Sequence, residues 1–309
     1  MSLCLCLPSP LEHLLTLREV ELWLKRDDLI HPEVSGNKWR KLKYWWQAFT
    51  ASKKTELLTF GGAFSNHLAA TAALGKYHGV ATHALVRGEE AMDNPTLRYC
   101  RDCGMQLQGI SRRKYQIKEQ PEFLSALQLA LPQVMVVPEG GRGPLGARGC
   151  REILDEIPNR FDYVALSAGT GTTAAGLLHH PDGTPILVFP ALKGGLFLRR
   201  AIGQLLLQME PHFVTKKKWD ILPDYHFGGY AKTNDILIDF INNMYQNYSL
   251  TLDPVYTAKM MYGIVAEIKK GTFAPGTKIV AIHSGGLQGI AGMNERLKKA
   301  HQKTIAYEN

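Results

Sequence analysis

Tyr163-Val164-Ala165-Leu166-Ser167-Ala168-Gly169-Thr170-Gly171-Thr172-Thr173-Ala174-Ala175-Gly176 reads as a buried apolar strand, a glycine turn and a helix through Leu178. Glycines between a strand and a helix let backbone N–H groups converge on an anion at the positive helix end. Thr170, Thr172 and Thr173 add hydroxyl donors. A P-loop would end in Gly-Lys-Ser/Thr, which is absent. The spacing Gly169-x-Gly171-x-x-Ala174 fits a dinucleotide fingerprint, but that reading needs an acid about 20 positions on, after the next strand. There the chain reads Pro190-Ala191-Leu192-Lys193. The anion this loop suits is therefore a phosphomonoester.

Working outward, the same strand–turn–helix alternation recurs. Upstream, Glu21 to Arg26 alternates as a strand, and Leu42, Trp45, Trp46 and Phe49 place an amphipathic helix over 38–49. Leu57 to Phe60 is a strand and Gly61-Gly62 its turn, followed by a helix from Ser65 to His78. Further strands are predicted at 81–86, 105–108 and 134–137, with helices at 94–103 and 125–130. A glycine-rich loop then runs from Pro138 to Gly149, where the chain crosses between two sheets, and 148–157 is helical. Downstream, the spacing predicts strands at 186–189, near Tyr225-His226-Phe227 and at 278–283. Helices are predicted at 196–208, 234–245 and 256–270, with a last one after Gly286. Strands alternating with helices imply an α/β protein of open parallel sheets covered on both faces.

At 309 residues the chain allows one large or two medium domains, and 45% hydrophobic with 21% charged residues is enough apolar content for a sizeable core. The net charge of +8 favours acidic ligands, phosphates included. No motif for nucleic acid accompanies it. Lys216-Lys217-Lys218 reads as a solvated loop. Five cysteines without a recognisable secretory leader suit a reducing cytoplasm, and Cys100-x-x-Cys103 lacks the second pair or His that a zinc site needs, so no metal is expected. No stretch approaches the roughly 20 apolar residues that span a bilayer.

Four other stretches carry chemistry. Val34-Ser35-Gly36-Asn37-Lys38-Trp39-Arg40-Lys41-Leu42 places Lys38 at a helix mouth among Lys25, Arg26, Arg40, Lys41 and Lys43. Neighbouring cations disfavour an ammonium, and a neutral lysine is a nucleophile toward carbonyls. Gly61-Gly62-Ala63-Phe64-Ser65-Asn66-His67 joins a strand to a helix N-terminus, a place that suits a carboxylate. Ser65 could equally be a plain cap, and a lone His67 is more often structural than catalytic. Asp253-Pro254-Val255-Tyr256-Thr257-Ala258-Lys259 starts a helix, and Ile282-His283-Ser284-Gly285-Gly286 ends a strand in glycines, as active-site loops of open sheets do.

These segments, in this order from about Leu24 to about Leu297, resemble the pyridoxal-phosphate enzymes of the 1-aminocyclopropane-1-carboxylate deaminase and D-cysteine desulfhydrase family. The resemblance includes Lys25-Arg26-Asp27-Asp28. It implies a tryptophan-synthase-β-like fold (fold type II) of two open twisted α/β domains with pyridoxal 5'-phosphate between them. Residues 1–40 and 151–309 would form the large cofactor domain and 41–150 the small substrate-side domain. Lys38 corresponds to the lysine that binds the cofactor covalently, Gly169 to Thr173 to its phosphate loop, and Asn66 to the asparagine at its phenolic oxygen. Ser65 corresponds to the serine at the substrate carboxylate and Cα, with Asn66 and His67 beside it. Tyr256 matches the aromatic residue against the ring, Tyr230 a second active-site tyrosine, and Ser284 the partner of the ring nitrogen.

Thr257 stands where ring-opening deaminases have Glu, and this with Ser284 points to β-elimination from D-cysteine or a related β-substituted D-amino acid. The alternatives are the ring-opening deaminase and a relative that binds a phosphate-bearing ligand without turnover. Phe64 replaces the usual Gln before Ser-Asn-His, and Ala231-Lys232-Thr233 replaces Gly-x-Pro; both departures fall on the substrate side. The resemblance also implies a small amino-acid substrate and a homodimer in the cytoplasm.

Overall fold

The computed structural model describes residues 3–89, 92–158 and 160–307. In chain order its elements are β1 (Leu11–Leu17), β2 (Val20–Lys25), α1 (Asn37–Thr50), β3 (Glu56–Gly62), α2 (Asn66–His78), β4 (Ala81–Arg87), α3 (Pro95–Asp102) and β5 (Gln106–Ile110). Then come α4 (Arg112–Gln116), α5 (Pro121–Ala130), β6 (Val134–Val136), α6 (Pro144–Arg151), β7 (Tyr163–Ala168), α7 (Thr172–His179) and β8 (Ile186–Pro190). The chain finishes with α8 (Phe197–Met209), β9 (Trp219–Ile221), α9 (Asp235–Tyr248), α10 (Thr257–Lys270), β10 (Lys278–Ile282) and α11 (Gly289–Lys299).

The strands form two sheets. One runs β1-β2-β10-β7-β8-β9 and the other β5-β4-β3-β6. All pairings are parallel except β1 with β2, a hairpin turned at Arg18 and Glu19, whose φ values are +48° and +61°. The all-parallel expectation missed this edge strand, because Leu11–Leu17 lies at the rim and buries too little for clean alternation.

Both sheets are covered on both faces. On the six-stranded sheet, Leu22, Leu24, Ile279 and Phe189 pack under α9, α10 and α11, while Val164, Leu166, Val280 and Ile282 pack under α6, α7 and α8. On the four-stranded sheet, Ala84 and Val86 meet α2 and α3, and Leu58 and Phe60 meet α5. Helix α1 seals the latter sheet with Trp39, Leu42 and Phe49 against Leu57 and Ala70.

Three sequence expectations change here. The stretch from Pro138 to Gly149 is not a loop throughout, since α6 begins at Pro144. Its glycines serve close helix packing. A Cβ at Gly149 would lie 1.9 Å from the Arg40 carbonyl oxygen, and one at Gly146 would lie 1.9 Å from that of Gly141. The strand expected at 225–227 is instead β9 at Trp219–Ile221; Pro223–Tyr225 forms a 3-10 turn and Phe227 takes φ +51°. Lys217 also departs from a solvated loop. It is buried, with its ammonium 3.8 Å from Asp182.

Candidate active site

The carboxyl ends of β7 and β10 and the turn after β3 face one cavity, lined by Asn37, Lys38, Lys41, Asn66, Gly140, Ser167 to Ala174, Tyr256, Ser284 and Gly285. Four helices begin at its wall: α1 at Asn37, α2 at Asn66, α7 at Thr172 and α10 just after Tyr256. Each helix start presents unpaired N–H groups and the positive end of a dipole. The cavity is built for an anion.

Lys38 is placed by a backbone contact. Asn37 N–H donates to the Ser284 carbonyl at 3.3 Å, and Gly36, at φ +62°, lets the chain pass so close that a Cβ there would lie 2.0 Å from that oxygen. The Lys38 ammonium donates to Asn37 Oδ1. Burial first, and the Lys41 charge second, lower the Lys38 amine to about 7, with Asp253 pulling the other way. The side chain as a whole is only half-buried, because it faces the cavity.

The crowd of cations expected to act on Lys38 is mostly spoken for. Arg40 is clamped on Asp27 at 2.9 Å and Glu156 at 2.6 Å, Lys25 pairs with Glu156 at 2.6 Å, Lys43 with Glu152 at 2.7 Å and Arg26 with Asp28 at 2.8 Å. Only Lys41 remains as a repelling neighbour. It is buried, lines the cavity, and burial lowers its pKa.

At the phosphate-loop end, Gly171 takes φ +78° and Thr170 Oγ1 lies 3.0 Å from Thr172 Oγ1. Thr173 is buried, 3.7 Å from Cys150 Sγ. At the other wall, Tyr256 is fixed by buried Asp253. The Asp253 carboxylate accepts the N–H groups of Val255 (3.0 Å), Tyr256 (2.8 Å) and Thr257 (2.7 Å), a cap on α10. Gly169 leaves room for the Tyr256 ring: a Cβ there would be 3.1 Å from Cε1. Burial raises the Tyr256 phenol well above its ordinary range, so it stays protonated. His283 donates from Nε2 to the Thr251 carbonyl at 2.7 Å and accepts the Gly285 N–H at Nδ1 (3.3 Å), which anchors the turn carrying Ser284.

Lys38, Asn66, Gly169 to Thr173, Tyr256 and Ser284 thus share one cavity. Ser65 is not among the lining residues: it precedes Asn66 as the N-cap of α2, accepting the Leu68 N–H at 3.4 Å while its own hydroxyl proton is free to be donated. Tyr230 stands behind Tyr256, ring centroids 6.1 Å apart and edge-on. His67 is the exception. Its Nε2–H donates to Thr59 Oγ1 at 2.7 Å, and Thr59 donates onward to the Val137 carbonyl. Burial, then the Lys38 and Lys41 charges, push its imidazole down to about 3. It is a neutral buried strut beneath the wall and, unlike Asn66, is not among the residues that line the cavity. Sequence reasoning missed Lys41, Ser167 and Asp253 as site residues. Lys41 had a signal, one helical turn after Lys38, but was counted only as background charge.

Asn66 Oδ1 and Ser167 Oγ are buried at this cavity without a hydrogen-bond partner. Such orphaned atoms call for a polar occupant. Pyridoxal phosphate fits the set: Thr170, Thr172, Thr173, Ser167, Lys41 and the α7 N-terminus could take the phosphate, Asn66 and Tyr256 could flank the ring, Ser284 could meet its nitrogen and Lys38 could meet the aldehyde. Among the described residues no group of three or more His, Cys, Asp or Glu could hold a metal, and no helix is long and apolar enough to cross a membrane.

Comparison with known proteins fits the same chemistry. The profile of the pyridoxal-phosphate dependent enzyme family matches residues 5–285, and the chain belongs to that family. It is a fold type II enzyme, tryptophan-synthase-β-like, with pyridoxal phosphate as cofactor. Within it the chain falls among the 1-aminocyclopropane-1-carboxylate deaminase and D-cysteine desulfhydrase relatives, and it is a lyase. A Pyrococcus horikoshii protein named provisionally as a 1-aminocyclopropane-1-carboxylate deaminase is 28% identical over 308 residues, covering 94% of this chain and 92% of the relative. The D-cysteine desulfhydrase of Salmonella newport is 29% identical over 308 residues, covering 90% and 92%. A solved structure described as an ACC deaminase homologue superposes with a TM-score of 0.82 at 24% identity, covering 96% and 94%.

Proposed function

We propose that this enzyme removes the β-substituent of a small D-amino acid, D-cysteine foremost, giving pyruvate, ammonia and sulfide. The observation that carries the reading is Thr257. It follows Tyr256 directly, is fully buried, and its hydroxyl has no hydrogen-bond partner. No carboxylate follows Tyr256 there, and Ser284, a hydroxyl and not an acid, faces the cavity. Both features suit loss of a good leaving group better than opening of a cyclopropane ring.

Bound pyridoxal phosphate supplies an aldehyde for the substrate amine and a ring that withdraws electrons from Cα. The chain's own residues do the rest. The Ser65 hydroxyl and the first N–H groups of α2 hold the substrate carboxylate, where the helix dipole favours it. Lys38, lowered to about 7, is neutral often enough near neutral pH to accept the Cα proton at Nζ. The pair left at Cα forms the Cα–Cβ double bond as sulfide leaves Cβ, and water then hydrolyses the released aminoacrylate. Tyr256 and Tyr230, both held protonated, orient the substrate or return a proton. In this proposal residues 1–40 and 151–309 carry the cofactor and 41–150 the substrate side, in a cytoplasmic homodimer that sedimentation would test.

The alternative, 1-aminocyclopropane-1-carboxylate deaminase, draws on the Pyrococcus relative and is disfavoured by Thr257. Assay of sulfide, ammonia and keto-acid release across D-cysteine, L-cysteine, β-chloro-D-alanine and the cyclopropane acid decides between them. D-cysteine and β-chloro-D-alanine should turn over, and turnover of the cyclopropane acid alone would overturn the proposal.

A further inference from the structure

Tyr230 is carried by two consecutive turns. Gly229 N–H donates to the His226 carbonyl at 3.0 Å, closing residues 226–229, and Lys232 N–H donates to the Gly229 carbonyl at 3.1 Å, closing 229–232. The backbone does not favour this path by itself. Phe227 and Gly228 take φ +51° and +89°, and Ala231 takes φ +53°, so two side-chain-bearing residues sit in the left-handed region.

The carbonyls that close the turns are each used twice. Buried Lys259 Nζ, one turn beyond Tyr256 on α10, donates to the His226 oxygen at 2.9 Å and to the Gly229 oxygen at 2.7 Å. Arg296, on the outer side of α11, donates to the Ala231 oxygen at 2.7 Å. No carboxylate is ion-paired with either cation among the described ion pairs. Hydrogen bonds from charged donors are stronger than neutral ones and point to one geometry.

We propose that Lys259 and Arg296 are positioning residues, stapling the 226–232 turns so that Tyr230 stands edge-on to Tyr256 at the rim of the site. The catalytic consequence rests on the reading of Tyr230 given above. The staple itself does not. The same helix α11 also receives the Phe64 ring, which a Cβ at Gly292 would meet at 2.6 Å. One helix therefore holds both places where the substrate side departs from its relatives.

The test uses the holoenzyme with Arg296→Met, Arg296→Lys and Lys259→Met, each with and without Tyr230→Phe. Hydrogen exchange of peptides covering 226–232 should speed up about 10-fold or more in the Met variants, with the strands unchanged. Arg296→Lys should restore most of the protection. In the Tyr230 background kcat/KM should fall roughly 5- to 50-fold, and in the Tyr230→Phe background less than about 2-fold, since the staple then has no phenol to position. Unchanged exchange in Arg296→Met, an exposed position that spares the core, would overturn the staple. An equal kcat/KM loss in both backgrounds would overturn positioning. If Tyr230→Phe alone leaves kcat/KM intact, the reading of Tyr230 fails, and exchange still decides the staple.

Discussion

The first turns of α1 carry cations of two kinds, a few residues apart. Arg40, buried, closes on Asp27 and Glu156, which also receives Lys25, while Lys43 closes on Glu152. Lys38 and Lys41 face the cavity with no carboxylate on them among the described ion pairs. Burial opposes charge on both faces. On the first it is more than offset by hydrogen bonds and counter-charges, which raise the Arg40 guanidinium further. On the second the pull of Asp253 on Lys38 is too weak to offset it, and the amines drop. Lys38 is thus tuned by desolvation and by Lys41 against Asp253, while the paired cations build the wall that holds it.

The contrast can be broken at either face. Lys38→Ala should lower turnover by about 10⁴-fold or more, because base and covalent anchor are lost together, with the cofactor-free protein no less stable near neutral pH; steady-state assay and calorimetry check both. Arg40→Met should cost about 3–5 kcal/mol, since Asp27 and Glu156 lose their shared guanidinium and are left with Ser9 and, at Glu156, Lys25. A denaturant titration reads that loss, and turnover per folded molecule should change far less than in Lys38→Ala.

Protons sharpen the same comparison. Burial opposes the Glu156 charge, but bonds to Arg40 and Lys25 hold its carboxyl down to about 2 against an ordinary 4.5. Its contribution to stability is therefore complete above pH 4.5 and lost as pH falls through about 2. Lys38 is at about 7 when folded against 10.5 unfolded, so the unfolded chain holds more protons between those values. Stability of the cofactor-free protein should rise with pH across that window, and Lys38→Met should remove the rise. Urea midpoints measured at stepped pH check both slopes.

Smaller effects follow from the remaining groups. Lys41→Met should weaken pyridoxal phosphate binding roughly 10- to 100-fold, as expected for one charged hydrogen bond, with the cofactor-free protein no less stable; absorbance titration reads the affinity. Ala231→Gly relieves a left-handed alanine and should stabilise by about 0.5–1 kcal/mol, unless Arg296 loses its carbonyl in the process, which the melting temperature would report as a net loss.

Much of this was open to reading from local pattern. Strand–glycine–helix joints at Gly61 and Gly169 are set by spacing and by what only glycine permits, and the phosphate reading needed no fold. The cap at Ser65 was likewise local. What escaped depends on partners far along the chain. The α6 glycines looked like a loop because their reason is the Arg40 and Gly141 carbonyls. His67 looked like a site residue because Thr59, which turns it inward, lies on another element.

By itself the sequence determined the alternating α/β build and marked Lys38 and the Gly169 turn as candidates, since each rests on neighbours within a few residues. Only the tertiary structure decided which cations are neutralised, why Lys38 loses its proton, and how Lys259 and Arg296 reach the turns that carry Tyr230. Burial and ion pairing depend on groups brought together from distant parts of the chain.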